Sequence, residues 1–333
     1  MQEYNRLVAI QATHDVASQY GTLREGAGLL DRSDRGKLDV LGPDAAEYLQ
    51  GQVTNDIEAL APGTGCYAAL LNVKGRVLAD LRILVRARDE LWLDTERSAL
   101  EVLRSNLEIY KIGRDVELRD RTGDRAILSL IGPSADELLP GVPDSGHSFI
   151  GSELDGAEVL VVRTDLGLDV ITAADDRDAV FATLESRGAA EVSEKAAEIV
   201  RIESGRPRHG VDMTDANLPA EAGLEERAVS FTKGCYVGQE PVARMHHRGH
   251  PNRRLRGLVL SAPVSPGEPV RSGDKEVGSV TSSCLSPALG PIALSIIRRE
   301  VEAGDPVLVG SSGIRATVVE LPFSQEPVRE PEP

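Results

Sequence analysis

Two stretches of this chain are near copies of one another, and that repeat constrains the fold more than any other feature. Leu38–Gly51 reads LDVLGPDAAEYLQG and Leu128–Gly141 reads LSLIGPSADELLPG, identical at seven of fourteen positions. Each copy reads as a strand, a Gly-Pro turn and a short helix. Proline suits a first helical turn, where its missing N–H has no intrahelical acceptor, and Gly51 or Gly141 is expected to end the helix in the left-handed region. Two related halves are therefore expected to pack about a shared core, with a ligand cleft where they meet.

At 333 residues the chain is too long for one ordinary core, so two or three domains are expected. Cys66–Leu71 and Arg76–Arg86 read as strands joined by the turn 72–75. In the second of them Val77, Ala79, Leu81, Ile83 and Val85 alternate as one apolar, buried face, which points Asp80 the other way with Arg76, Arg82 and Arg86. Further strands are expected at Leu91–Asp94, Val116–Arg119, Val159–Val162 and Leu168–Thr172, and helices at Arg97–Tyr110, Asp175–Arg187 and Ser193–Ser204. This mixture indicates α+β layers rather than a strict βαβ alternation.

From residue 204 to about 253 no period of 2 or 3.6 persists, and a stretch of that length without elements is usually functional. Beyond it Leu255–Leu260, Glu276–Thr281, Ile292–Arg298, Pro306–Val309 and Ile314–Glu320 read as the short strands of a small β-barrel. The expected organisation is an α+β region over 1–252, a barrel over 253–322, and a disordered tail over 323–333, where proline alternates with charge.

A net charge of −16 argues against general binding to nucleic acid or an anionic membrane. One segment runs against that balance, with Arg244, Arg248, Arg253, Arg254 and Arg256 beside His246, His247 and His250. It reads equally as a solvated linker and as an anion site suited to a polyglutamyl or phosphate tail. The histidines form HHxxH, but no carboxylate or cysteine lies at close helical spacing and Arg248 disfavours a cation, so no metal site is expected. Three scattered cysteines, Cys66, Cys235 and Cys284, point to a reducing compartment. With no apolar run of signal-peptide length in the first sixteen residues and none approaching ~20 later, a soluble cytoplasmic protein is expected.

Residues 233–240 read KGCYVGQE and place a thiol between flexible glycines. Gly234 and Gly238 free the backbone, while Lys233 and Arg244 are placed to lower the pKa of Cys235; the alternative is a small cysteine packed beside a turn. Glu203 continues the apolar stripe Ala196, Ile199, Val200 at a helix C-terminus, where dipole and burial both disfavour a carboxylate. A paired N–H partner would offset that, either Arg201, Arg206 or a ligand with an amidine-like edge. Gln50, Gln52, Thr54 and Asn55 either read the polar edge of a heterocycle or serve as turn residues. GxSxG, HExxH and Walker motifs are absent from the sequence.

Over essentially its whole length the chain resembles the YgfZ-type folate-binding proteins of iron–sulfur cluster maintenance, relatives of the glycine-cleavage T-protein, an aminomethyltransferase. KGCYVGQE carries the resemblance most specifically. YLQGQVTND at 48–56, KGRVLADL at 74–81 and RIESGRPRHGVDM at 201–213 support it in the same order. The resemblance implies a three-part cloverleaf with a central channel for tetrahydrofolate or a one-carbon derivative. It also implies iron–sulfur client or assembly proteins as partners, and Glu203 as the residue that binds the pterin edge. The remaining folate contacts expected are Gln52, Thr54, Asn55, Lys233, Tyr236, Gln239 and Arg244, with Cys235 as the functional thiol at the channel mouth. One departure stands out: transferases of this superfamily carry two adjacent aspartates where this chain has Ala79-Asp80. That argues against transfer by the glycine-cleavage route and leaves Asp80 the nearby acid or base.

Overall fold

The computed structural model describes residues 15–324, which divide into two compact units. The first holds the described residues up to Ala197 with Thr214–Pro219 and Leu224–Arg248; the second holds Glu198–Met213, Ala220–Gly223 and the described residues from Gly249 onward. The reading of the first sixteen residues, and that of the tail from residue 325, lie outside the described residues except for positions 15 and 16.

The strands of the first unit are β1 (Gly28–Asp31), β2 (Gly36–Leu41), β3 (Thr64–Leu71), β4 (Val77–Ala87), β5 (Glu90–Thr95), β6 (Glu117–Asp120), β7 (Arg125–Ile131), β8 (Phe149–Leu154), β9 (Ala157–Thr164), β10 (Gly167–Ala173) and β11 (Ala190–Glu191). They form two sheets, ordered β3-β4-β5-β2-β6 and β11-β1-β7-β10-β9-β8. Each repeat copy supplies an inner strand of one sheet, β2 or β7, and the short helix after it, Ala45–Gln50 or Ala135–Leu138. The Gly-Pro turns need glycine for a steric reason. A Cβ on Gly42 (φ 119°) would lie 2.3 Å from the Asp115 carbonyl oxygen, and one on Gly132 (φ 127°) 2.3 Å from that of Gly26. Neither glycine is the expected left-handed stop: Gly141 has φ 98° but lies beyond Leu139, which caps its helix, and Gly51 stays right-handed at φ −81°.

The alternation in β4 is borne out: Val77, Ala79, Leu81, Ile83 and Val85 are fully buried, and all but Val77 join Leu38, Leu49, Leu103 and Leu107 in the core between the first sheet and its helices. The opposite face of β4 is not solvated. Leu84 of β4 and Trp92 of β5 pack on Ile127, Phe149, Val162 and Ile171 of the other sheet, so the sheets lie face to face with helices outside. Arg82, read as part of a mixed face, is thereby buried, and its guanidinium bonds Asp94 at 2.7 Å and Asp169 at 2.6 Å. Two carboxylates meeting one guanidinium make such burial tolerable.

In the second unit β12 (Arg253–Leu260), β13 (Pro269–Ser272), β14 (Lys275–Ser286), β15 (Gly290–Arg298), β16 (Pro306–Val309) and β17 (Ile314–Val319) close into a barrel in the order β12-β15-β14-β13-β16-β17. The expected five strands gain β13, a four-residue strand that starts on proline. Ile202, Leu255, Ile292 and Ile296 form a second apolar cluster outside the barrel core, with Leu321 and Phe323 against it.

The stretch expected to lack elements contains helices at Glu225–Ala228 and Gln239–Arg248. The latter fits its dipole, with Pro241 and Glu240 in the first turn and His246, His247 and Arg248 in the last. Val242 is its buried residue, so no apolar stripe announced it. Among the described residues no helix is long and apolar enough to cross a membrane.

Candidate functional site

Three segments singled out in the sequence meet in the first unit: the loop after the first repeat helix, the β3–β4 turn, and the KGCYVGQE motif. Lys233 joins them. Its side chain is buried, and Nζ donates to the carbonyl oxygens of Gln50, Val53 and Asn55, each at 2.7 Å. The Val237 amide donates to the Gly51 carbonyl at 3.1 Å, and that of Ser230 to Thr54 at 3.0 Å. Gly238, at φ 82°, passes so close to the turn that a Cβ would sit 2.5 Å from the Asn72 carbonyl oxygen. Gly234 has open space where a Cβ would go, so the motif's two glycines are not equivalent.

The polar residues of the loop hold backbone, both within the loop and around it. Thr54 is fully buried, donating to the Ala228 carbonyl at 2.5 Å and accepting from the Ala69 amide at 2.8 Å. Asn55 donates to the Tyr67 carbonyl at 2.8 Å, and Gln50 bridges Asp56 and the Ile57 amide. Gln52 is half-buried. Tyr236 is buried with its ring centroid 5.2 Å from the Lys233 ammonium, and Gln239 donates to the Gly234 carbonyl at 3.4 Å. Arg244 lies exposed on its helix, paired with Glu240. The two cations expected to acidify Cys235 are thus committed elsewhere, Lys233 to backbone carbonyls and Arg244 to a carboxylate.

The thiols differ in environment. Burial pushes Cys66 up to about 12, and burial with the nearby Glu203 carboxylate does the same to Cys284. Both are held as neutral thiols, whereas Cys235 is exposed.

Asp80 lies between the two sheets. Tyr67 Oη donates to Oδ2 at 2.6 Å, while Oδ1 is buried without a hydrogen-bond partner. The Arg227 guanidinium sits 5.0 Å from the Tyr67 ring centroid and is held at 2.7 Å by Asp165. Burial, reinforced by the Asp80 carboxylate, drives the Tyr67 pKa far above a phenol's ordinary value, so the phenol remains a donor. Sequence reasoning missed Tyr67, Arg227 and Asp94. Strand pairing was the available signal for Tyr67: with Ala69 opposite Asp80 and Tyr67 opposite Arg82, the two are diagonal neighbours on one face.

His147 borders the same region, at a left-handed φ of 61°, with Nδ1 buried and unpartnered. Burial, with Arg82 adding to it, pushes its pKa down to about 4 from an ordinary 6.5. The unfolded chain therefore binds this proton at a pH where the folded chain does not. Stability should fall as pH drops from 6.5 towards 4, and His147→Gln should flatten that slope in urea-unfolding series. Superimposable pH profiles for the two proteins would refute the assignment.

Glu203 belongs to the second unit and is buried there at 6% exposure, as the apolar stripe of its helix implied. Ser286 Oγ donates to its Oε1, and its carbonyl oxygen accepts from the Phe323 amide at 3.0 Å. Arg201, one of its expected partners, is buried against Glu198 at 2.6 Å and Asp212 at 2.7 Å. His246 and His247 sit on the helix Gln239–Arg248, where His246 stacks on Phe231 with ring centroids 3.7 Å apart.

Two family domains match the chain: the GCVT N-terminal domain over residues 2–233 and the glycine cleavage T-protein C-terminal barrel domain over 253–325. The chain is 30% identical over 331 residues to an aminomethyltransferase of Rubrobacter xylanophilus, across 95% of this chain and 88% of that one. It is 32% identical over 331 residues to an aminomethyltransferase of Frankia alni, across 94% and 90%. The crystal structure of glycine cleavage system aminomethyltransferase T from Bartonella henselae superposes with a TM-score of 0.84 at 25% identity, covering 93% of this chain and 90% of that one.

Proposed function

The chain belongs to the glycine cleavage T-protein family, and from that premise we propose that it is an aminomethyltransferase or demethylase that passes a one-carbon unit to a reduced folate. The observation that carries this reading is Asp80. One carboxylate oxygen is fixed by Tyr67, and the other is buried with no donor. A buried carboxylate oxygen is costly until a donor reaches it, and an amine N–H of the one-carbon donor is a suitable one. Asp80 would hold that N–H and exchange its proton, while Tyr67 keeps the carboxylate oriented. With alanine at 79, Asp80 does this alone.

Tetrahydrofolate would supply the nitrogen that accepts the carbon. Purified protein given an aminomethyl donor and tetrahydrofolate should release methylenetetrahydrofolate. Binding of folate without release from any such donor would end the transferase reading.

A second reading is favoured by Cys235, the exposed thiol in the motif that resembles the YgfZ hallmark. In it the protein binds folate without transferring carbon and supports assembly or repair of iron–sulfur clusters in client proteins. Cys235→Ala separates the two. The transferase reading expects unchanged release of methylenetetrahydrofolate and unimpaired cluster enzymes in cells, and the cluster reading expects those enzymes to lose activity while folate affinity stays the same.

A further inference from the structure

The barrel interior changes character at one end. The inward row of β12 runs Leu260, Leu258, Arg256, Arg254, with the two leucines in the barrel core. In β15 the corresponding row is Ala293, Ser295 and Ile297, with Arg299 just past the strand end, and in β17 it is Ala316 and Val318, with Glu320 just past the strand end. Register brings these ends together, since Arg254 faces Ile297, Arg256 faces Ser295 and Gly257 faces Val319. Three strands whose inward rows are apolar within the barrel, apart from Ser295, therefore all lead to charged residues at the same mouth. A cavity of about 510 Å³ opens there, lined also by His250, Glu300 and Glu302.

Arg254, Arg256 and Arg299 share this mouth with Glu300, Glu302 and Glu320, but the arginines are only partly paired by them. Glu320 meets Arg256 at 2.9 Å, but its side chain is 65% exposed while that of Arg256 is 13% exposed. Glu300 is taken by Lys275 at 2.6 Å. Among the described residues Arg254 and Arg299 have no carboxylate within ion-pair distance, and Arg256 Nε is buried with no partner at all. Burial lowers the Arg256 pKa below the ordinary guanidinium value, the nearby Glu320 and Glu302 carboxylates opposing the shift and Arg254 adding to it. Guanidinium groups arrayed in this way match the oxygens of phosphate or carboxylate, which they bind in forked pairs.

We propose that the mouth of the barrel is a binding site for a small multivalent oxyanion, phosphate or polycarboxylate, gripped by Arg254, Arg256 and Arg299. The site lies wholly in the second unit and does not depend on the proposed one-carbon chemistry. It also gives a use to the basic segment around residue 254 in an otherwise acidic chain.

The test is calorimetry on the full chain at constant ionic strength, with inorganic phosphate in one arm and citrate in the other, against a sodium chloride background. Saturable binding is expected in at least one arm, and the arm that responds identifies the source of the oxygens. Arg299→Gln, at an exposed position that folding does not need, should weaken binding about tenfold, and Arg254→Gln likewise. Arg119→Gln, on an exposed strand of the first unit, should leave it unchanged. Absence of saturable binding in both arms, or equal affinity in Arg299→Gln and the unsubstituted protein, overturns the proposal.

Discussion

Asp80→Asn should keep the fold and folate binding but lose one-carbon transfer by about 10²–10⁴-fold, the range typical of a removed general acid or base. The substitution is nearly isosteric, and Tyr67 can still donate to the amide oxygen that replaces Oδ2. What disappears is the anionic acceptor at Oδ1, buried and unpartnered between the sheets. The loss should fall on kcat more than on KM, because the missing interaction forms with the reacting amine and not with the remote parts of the folate. Tyr67→Phe should cost less, since it frees the carboxylate to rotate without removing it. The measurement is the initial rate of methylenetetrahydrofolate release under saturating folate, and an unchanged rate for Asp80→Asn would remove the residue from the chemistry.

Lys233→Met should lower unfolding free energy by about 3–5 kcal/mol, since each buried carbonyl left without its donor costs about 1–3 kcal/mol. Methionine roughly fills the volume of the lysine stem but brings no donor. The carbonyl oxygens of Gln50, Val53 and Asn55 would then be left facing an apolar group. The loop that these contacts fix also carries Thr54 and Asn55, and the motif held against it carries Cys235, so the damage should be local as well as global. Protease cleavage within residues 50–57 or 230–238 should appear before global unfolding. An unfolding free energy lowered by less than about 1 kcal/mol in denaturant titrations would show that Lys233 is dispensable to the loop.

Much of the architecture is legible from periodicity. The repeat locates β2 and β7 with their helices, and the odd-numbered apolar row places β4 on a core. Five of six barrel strands show in regular spacing. Some of the elements that escape such a reading do so for a physical reason. β13 and β11 are too short for a period to register, and the helix Gln239–Arg248 buries chiefly Val242, so no stripe marks it. A helix stop at Gly51 is expected in the left-handed region because glycine permits it, yet nothing there requires it. For the candidate site, composition and order identify the segments that meet but misjudge their work. Thr54, Asn55 and Lys233 hold backbone, and Asp80, placed by the alternation on a mixed face with arginines, is held by Tyr67 with one oxygen buried.

The amino-acid sequence by itself determined the apolar rows that form the cores, the repeated strand–turn–helix unit, and that a barrel comes after an α+β region, because burial of apolar side chains acts through patterns a few residues long. Only the tertiary structure decided that the charged face of β4 turns inward, that Lys233 spends its protons on three carbonyls instead of on Cys235, and that Arg254, Arg256 and Arg299 converge on one mouth. Those outcomes depend on which distant groups come within a few ångströms, where desolvation and pairing set the behaviour of every charge.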